Sequence, residues 1–322
     1  MTLLAFQFTW PWLAEVLVGV VLYATLAASL NLITGYAGMF SLGHHGFFAV
    51  GAYAAGWVVS VAGEVAPGSP AGFGLFLASA AAGAAAAAAA GLLVGLPCLR
   101  LRGDYLAIAT LAFGEIVRIT IQNTRALGGS LELSVPRLLL QPQGLAEVAT
   151  FRWLFLGIGV LLLAATLLVI RNLIRSAHGR AIVSIREDEV ASELLGVRTT
   201  RYKIGAFVLG AAFAGLCGWY YAHYNGSIAP ANFDFLVGIR ILLIVVLGGL
   251  GSLSGTVAAA VVLVGLERLL QTGIFGTTLK EWMQVEYALL LILLMLLRPN
   301  GMFGTREVTD LLRRRRRAEG AS

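Results

Sequence analysis

The chain has 322 residues, 58% of them hydrophobic and only 12% charged, with a formal net charge of +6. An ordinary soluble chain is about 25% charged, so this composition excludes a cytosolic globular enzyme, a nucleic-acid-binding domain and a disordered regulator. No charged residue stands between Glu15 and Glu64, and at roughly 20 residues per bilayer crossing that run is long enough for two spans.

Apolar runs predict nine spans, at about Pro11–Thr34, Phe40–Ala62, Ala71–Leu96, Asp104–Ile121, Phe151–Ile170, Lys203–Tyr224, Phe235–Leu250, Gly255–Gln271 and Trp282–Leu297. The runs are continuously apolar, without alternating ten-residue segments, so the expected fold is all-α, a polytopic transmembrane helical bundle rather than a barrel. The N-terminus has no basic leading region, and its first apolar segment is expected to remain as a span. With the N-terminus outside, the connections assigned to the cytoplasm carry sixteen Lys and Arg residues against four on the opposite side. That bias sets the N-terminus outside and the C-terminus in the cytoplasm. Residues 1–304 then form one transmembrane domain, with a cytoplasmic segment at 172–202 and an external loop at 122–150, followed by a basic cytoplasmic tail at 305–322.

The first informative stretch is Asn31-Leu-Ile-Thr-Gly-Tyr-Ala-Gly-Met-Phe-Ser-Leu-Gly-His-His-Gly46. Its glycines interrupt apolar sequence where two spans meet, and its polar side chains need partners in a dry setting. Asn31, Thr34, Gly35, Gly38, Ser41, Gly43 and His44 are therefore candidates for a broken helix beside a translocation path; a tight turn between two helices is the plainer alternative. Adjacent histidines point to different faces of a helix, which argues against a metal pair at His44 and His45.

Glu115 and Arg118 lie three apart in one apolar segment and are expected to neutralise each other structurally, direct substrate contact being the competing reading. The 122–150 loop carries Gly128-Gly129, Pro136 and Pro142, and its length suits a docking surface for an external partner. From Ala181 to Leu195, apolar and charged residues recur at helical spacing, with Ile182, Ile185, Val190 and Leu194 near one face. This predicts a short amphipathic helix along the membrane, stopped at Gly196. Arg180, Arg186, Glu187, Glu189, Glu193 and Gly196 are its candidates for contact with a soluble partner.

Arg240 stands near the external end of the seventh span. It is expected either to anchor there, paired with Asp234 or a lipid phosphate, or to face the mouth of the pathway and attract a substrate carboxylate. Gly248 and Gly249 open a second glycine-rich stretch, Gly248-Gly-Leu-Gly-Ser-Leu-Ser-Gly255, which lacks the Gly-Lys-Ser/Thr ending of a phosphate loop. Glu267 and Arg268 are adjacent and are expected to form another self-neutralising pair. Cys98 and Cys217 are isolated and offer neither a metal spacing nor a disulfide framework.

Together the Asn31–Gly46 stretch, Arg102-Gly-Asp-Tyr-Leu-Ala-Ile-Ala-Thr-Leu-Ala-Phe-Gly-Glu-Ile-Val-Arg118, Ile185–Glu189 through Tyr202-Lys203, Val245–Ser252 and Leu297–Gly304 resemble the LivM-type permease subunits of branched-chain amino-acid ABC importers. The resemblance runs from about residue 20 to 304 and implies a type II ABC-importer-like architecture. It also implies the partners of that family: a second, LivH-type permease, two cytoplasmic ABC ATPases of LivG/LivF type, and a periplasmic substrate-binding protein. ATP and Mg would be bound by the ATPases, with no cofactor on this chain, and the expected location is the bacterial inner membrane. Urea, short amides and other amino acids are alternative cargoes of similar permeases. An ion-coupled secondary transporter is the alternative of a different class.

Overall fold

The computed structural model describes residues 2–63, 65–98, 101, 103–142, 144–271, 289 and 302, with side chains from Leu13 onward except those of 145 and 269–271. The ninth apolar segment Trp282–Leu297, Arg100, Arg102, Lys280 and the tail 305–322 lie outside the described residues.

The described chain is built from helices: α1 (Thr2–Asn31), α2 (His44–Ala62), α3 (Pro70–Cys98), α4 (Asp104–Asn123), α5 (Leu145–Arg175), α6 (Ala177–Glu187), α7 (Glu189–Leu194), α8 (Thr199–Asn225), α9 (Phe235–Gly248) and α10 (Leu253–Gln271). Among the described residues, six stretches are long and apolar enough to cross a membrane: Leu13–Tyr36, His44–Ala62, Pro70–Cys98, Ala146–Arg175, Thr199–Asn225 and Pro230–Gly248. In hydrocarbon a helix satisfies its own backbone, so an apolar run of this length has few alternatives. α4 and α10 fall outside those six; α4 carries Asp104, Glu115 and Arg118, and α10 carries Glu267 and Arg268.

The centre of the bundle is α1, α2 and α8, whose apolar windows are 83%, 61% and 61% buried, against 28% for α3 and α5. Helix association within lipid depends on close packing rather than on a hydrophobic drive, which favours small residues. Here α8 crosses α2 and α3 backbone to backbone. A Cβ added to Gly51 would overlap the Gly215 main chain, and one added to Gly218 would overlap Phe48 and Ala52. On α3 the buried positions Gly83, Ala87 and Gly91 form one stripe, and a Cβ on Gly91 would stand 2.7 Å from the Ala211 Cβ. The polyalanine tract Ala84–Ala90 thus supplies a narrow helix face for α8.

At one end of the bundle, two short strands, β1 (Leu133–Ser134) and β2 (Ser227–Ile228), pair antiparallel. They stitch the 122–150 loop to the α8–α9 connection. At the same end Glu15 of α1 bridges Arg152 of α5 at 3.2 Å and Arg268 of α10 at 3.5 Å.

Candidate translocation and coupling site

At the opposite end the two glycine-rich stretches meet. α1 does not stop at Asn31 but widens into a π-helical turn, Leu32–Tyr36, of the kind that often marks functional sites. The Asn31 amide is buried and fully engaged. Its Nδ2 donates to Thr256 Oγ1 at 2.8 Å and to the Ser252 carbonyl at 3.1 Å, and its Oδ1 accepts from Gly251 N at 2.9 Å. One side chain therefore holds the turn between α9 and α10, including Gly249, whose carbonyl lies 3.5 Å from Nδ2. A Cβ on Gly35 would collide with the Gly251 nitrogen, and one on Gly248 would press on Gly255 and Thr256. Met302 donates its N–H to the Leu247 carbonyl at 2.8 Å, at the end of α9.

The rest of the first stretch turns at Gly38, where φ is +69°, a conformation glycine adopts without the strain of a side chain. Gly43 packs against the Thr110 carbonyl so tightly that a Cβ would overlap it. His44 Nε2 lies 2.8 Å from Ser29 Oγ. Thr34 and Ser41 are buried, and their hydroxyls find no partner among the described residues. Asn31, Gly35, Ser41, Gly43 and His44 are all buried within this chain, at a packed junction.

The segment 172–202 departs from the single helix expected of Ala181–Leu195. Asp188 is extended, at φ −154° and ψ 112°, and its side chain caps a new helix by accepting from Ala191 N at 3.0 Å. The break separates the expected apolar face: Ile182 and Ile185 are buried against the bundle, whereas Val190 and Leu194 project outward on α7. Arg186 does not point away from the membrane. Its Nη1 donates to the Gly35 carbonyl at 2.8 Å, while Nη2 and Nε bond Glu187 Oε1 at 2.6 and 3.1 Å. Glu189 accepts from Lys203 Nζ at 2.6 Å, and Glu193 accepts from Thr199 Oγ1 at 2.7 Å, tying α7 to α8. Arg180 is exposed, and Gly196 ends α7 at φ +84°. A groove of about 600 Å³ runs beside this hairpin, lined by Ile182, Arg198, Arg201 and Tyr202 among others.

The intramembrane charges divide differently from their sequence spacing. Arg118 Nε donates to Glu115 Oε2 at 2.8 Å, a pair local spacing permits. Glu267 meets Arg240 at 3.4 Å, and Arg268 meets Glu15. Adjacent residues on a helix point about 100° apart, so each reaches a different neighbour. Arg240 is accordingly neither paired with Asp234 nor extended to an external mouth. It turns inward, donating through Nη1 to Tyr23 Oη at 2.9 Å, with its guanidinium 5.2 Å from the Tyr23 ring centre. Asp234 instead caps α9, accepting from Val237 N. Sequence reasoning passed over His45, whose Nε2 lies 3.9 Å from Glu115 Oε1; no local pattern links two positions 70 residues apart.

A helical bundle with several membrane-length helices, a broken first helix and a short helical hairpin bonded to that break has the makings of a multi-pass membrane protein. The chain belongs to the family of permease components of the branched-chain amino acid transport system, whose model matches residues 12–298. It is 35% identical to the high-affinity branched-chain amino acid transport system permease protein LivM of Salmonella typhimurium, over 94% of this chain and 73% of that protein. The LivM protein of Escherichia coli K12 is also 35% identical, over 93% and 73%. LivH of Escherichia coli K12 is 28% identical over 89% of this chain and 92% of that protein. No solved structure matches the chain.

Proposed function

We propose that this chain is a permease subunit of an ATP-driven importer for branched-chain or related amino acids in the bacterial inner membrane. The observation that carries this reading is the family match across residues 12–298, joined by relatives named for high-affinity branched-chain amino acid transport. It shares the translocation path with a second, LivH-type permease, receives substrate from a periplasmic binding protein, and is driven by two cytoplasmic ATPases that bind ATP and Mg.

The proposed topology has nine spans with an external N-terminus and a type II importer architecture. Its supports are the sixteen-to-four distribution of Lys and Arg and the separation of the α6–α7 hairpin from the end where Glu15, Arg152 and Arg268 gather. The hairpin is the docking element for an ATPase. Val190, Leu194 and Leu195 project from it, both leucines 84% exposed, and exposed apolar clusters of this kind mark protein contacts.

The test is uptake of labelled leucine into proteoliposomes holding the chain with its second permease, ATPases and binding protein. ATP-dependent uptake that disappears when the ATPases are omitted supports the reading. Uptake driven by an ion gradient without ATP would instead identify a secondary carrier, and transport of urea but not leucine would reassign the cargo.

A further inference from the structure

The ion pair on α4 occupies a position that neither lipid nor the protein core explains. Glu115 and Arg118 lie within an apolar helix, yet their side chains are 26% and 28% exposed. The exposed Ile108, Ile116 and Ile119 surround them on α4. An ion pair left partly open at bilayer depth is costly against hydrocarbon, and such residues face a wet cavity or another chain.

The bonding of the pair leaves specific atoms uncommitted. Arg118 uses Nε for Glu115 Oε2, which leaves its two terminal nitrogens, a fork suited to a carboxylate. Behind Glu115, the buried His45 is fixed between Gly114 and Gly238, where an added Cβ would press on its ring from either side. Its Nδ1 lies 3.1 Å from the Leu42 carbonyl. A carbonyl only accepts, so Nδ1 is the donor. Nε2 is buried without a hydrogen-bond partner and lies 3.9 Å from Glu115 Oε1. That separation is beyond hydrogen-bond distance, so His45 does not occupy this carboxylate oxygen.

We propose that Glu115 and Arg118 form a subsite for the head group of a zwitterionic α-amino acid during passage. The ammonium is received at Glu115 Oε1 and the carboxylate at the Arg118 terminal nitrogens, with the isoleucines of α4 beside an aliphatic side chain. The net charge of the site is unchanged by the ligand, and the internal Nε–Oε2 bond is retained. This inference rests on the permease reading above and assigns substrate recognition to a particular helix.

The experiment uses the complete complex in proteoliposomes, with labelled leucine as probe. Glu115→Gln and Arg118→Gln are each expected to lower uptake about tenfold, the scale of a lost charged contact. The charge exchange Glu115→Arg with Arg118→Glu restores an internal ion pair but reverses the subsite. It is expected to copurify with its partner subunits in the parental proportion and still to transport leucine poorly. Recovery of uptake in the exchanged variant, or parental uptake in both single variants, overturns the proposal and makes the pair structural. Failure of the permease reading looks different: the parental complex itself then shows no ATP-dependent leucine uptake.

Discussion

The Nη1 of Arg186, on the short helix α6, donates a 2.8 Å hydrogen bond to the carbonyl of Gly35 in the π-helical turn at the end of α1. The same side chain packs beneath Gly38 and beside Gly251, where an added Cβ would stand 2.7 Å from Arg186 Cγ and 3.1 Å from its Nη1. Arg186 thereby connects α6 to the π-helical turn of α1 and to the turn between α9 and α10, a route by which a displacement of α6 would reach both. Bonds to a charged donor are stronger than neutral ones, and a guanidinium reaches this carbonyl while also holding Glu187.

Arg186→Ala is expected to leave the permease inserted and bound to its ATPases while lowering transport per ATP hydrolysed by about tenfold. The check is the ratio of leucine uptake to phosphate release in the same proteoliposomes. A parental ratio would show that force reaches the bundle by another route.

The projecting face of α7 makes a separate prediction. Leu194 and Leu195 are both largely exposed and make no contribution to the bundle core. Leu194→Asp is expected to preserve folding but to lose copurification of the ATPases, because a carboxylate in an apolar groove carries a desolvation cost of several kcal/mol. Retained association in the aspartate variant would place the ATPase contact elsewhere.

Two glycines of α8 are expected to respond with opposite signs. A Cβ on Gly215 meets the Ala87 Cβ and the Gly83 carbonyl, whereas one on Gly205 meets nothing within 4 Å. Gly215→Ala should destabilise by about 1–3 kcal/mol through overpacking. Gly205→Ala should stabilise by about 0.5–1 kcal/mol, since alanine loses less backbone freedom in a helix. Thermal unfolding of the two variants in detergent measures both.

The Arg240–Glu267 pair is buried enough for its two halves to be unequal to their sum. Glu267→Ala removes the acidic partner of a largely buried guanidinium and should cost about 3–5 kcal/mol, while replacing both residues by leucine should cost far less. Comparing the midpoint temperatures of the single and double variants decides between this and a role for Arg240 in transport. A double variant that is stable but inactive would assign Arg240 to the pathway.

Much of the helical framework was legible because a bilayer leaves an apolar segment so few choices. The expected span Ala71–Leu96 appears as Pro70–Cys98, and Phe235–Leu250 as Phe235–Gly248. The glycine-rich stretches also read correctly as interruptions, since both begin where a helix yields to a turn. The Glu115–Arg118 pair followed from a spacing of three on one helix.

What the sequence by itself determined, then, was local: apolar run length, helix breaks and neighbours within a turn, all governed by backbone desolvation and helical period. It misjudged the cytoplasmic segment because Asp188 satisfies both a continuing helix and a new N-cap, and only packing of Ile182 and Ile185 on the bundle selects the break. Tertiary structure alone decided that Arg240 pairs with Glu267, that Asn31 holds the Gly249–Ser252 turn, and that His45 backs Glu115. These partners are separated by 27 to 221 positions in the chain. A buried charge or amide must find some partner in a dry interior, but which one depends on how the helices are arranged around it.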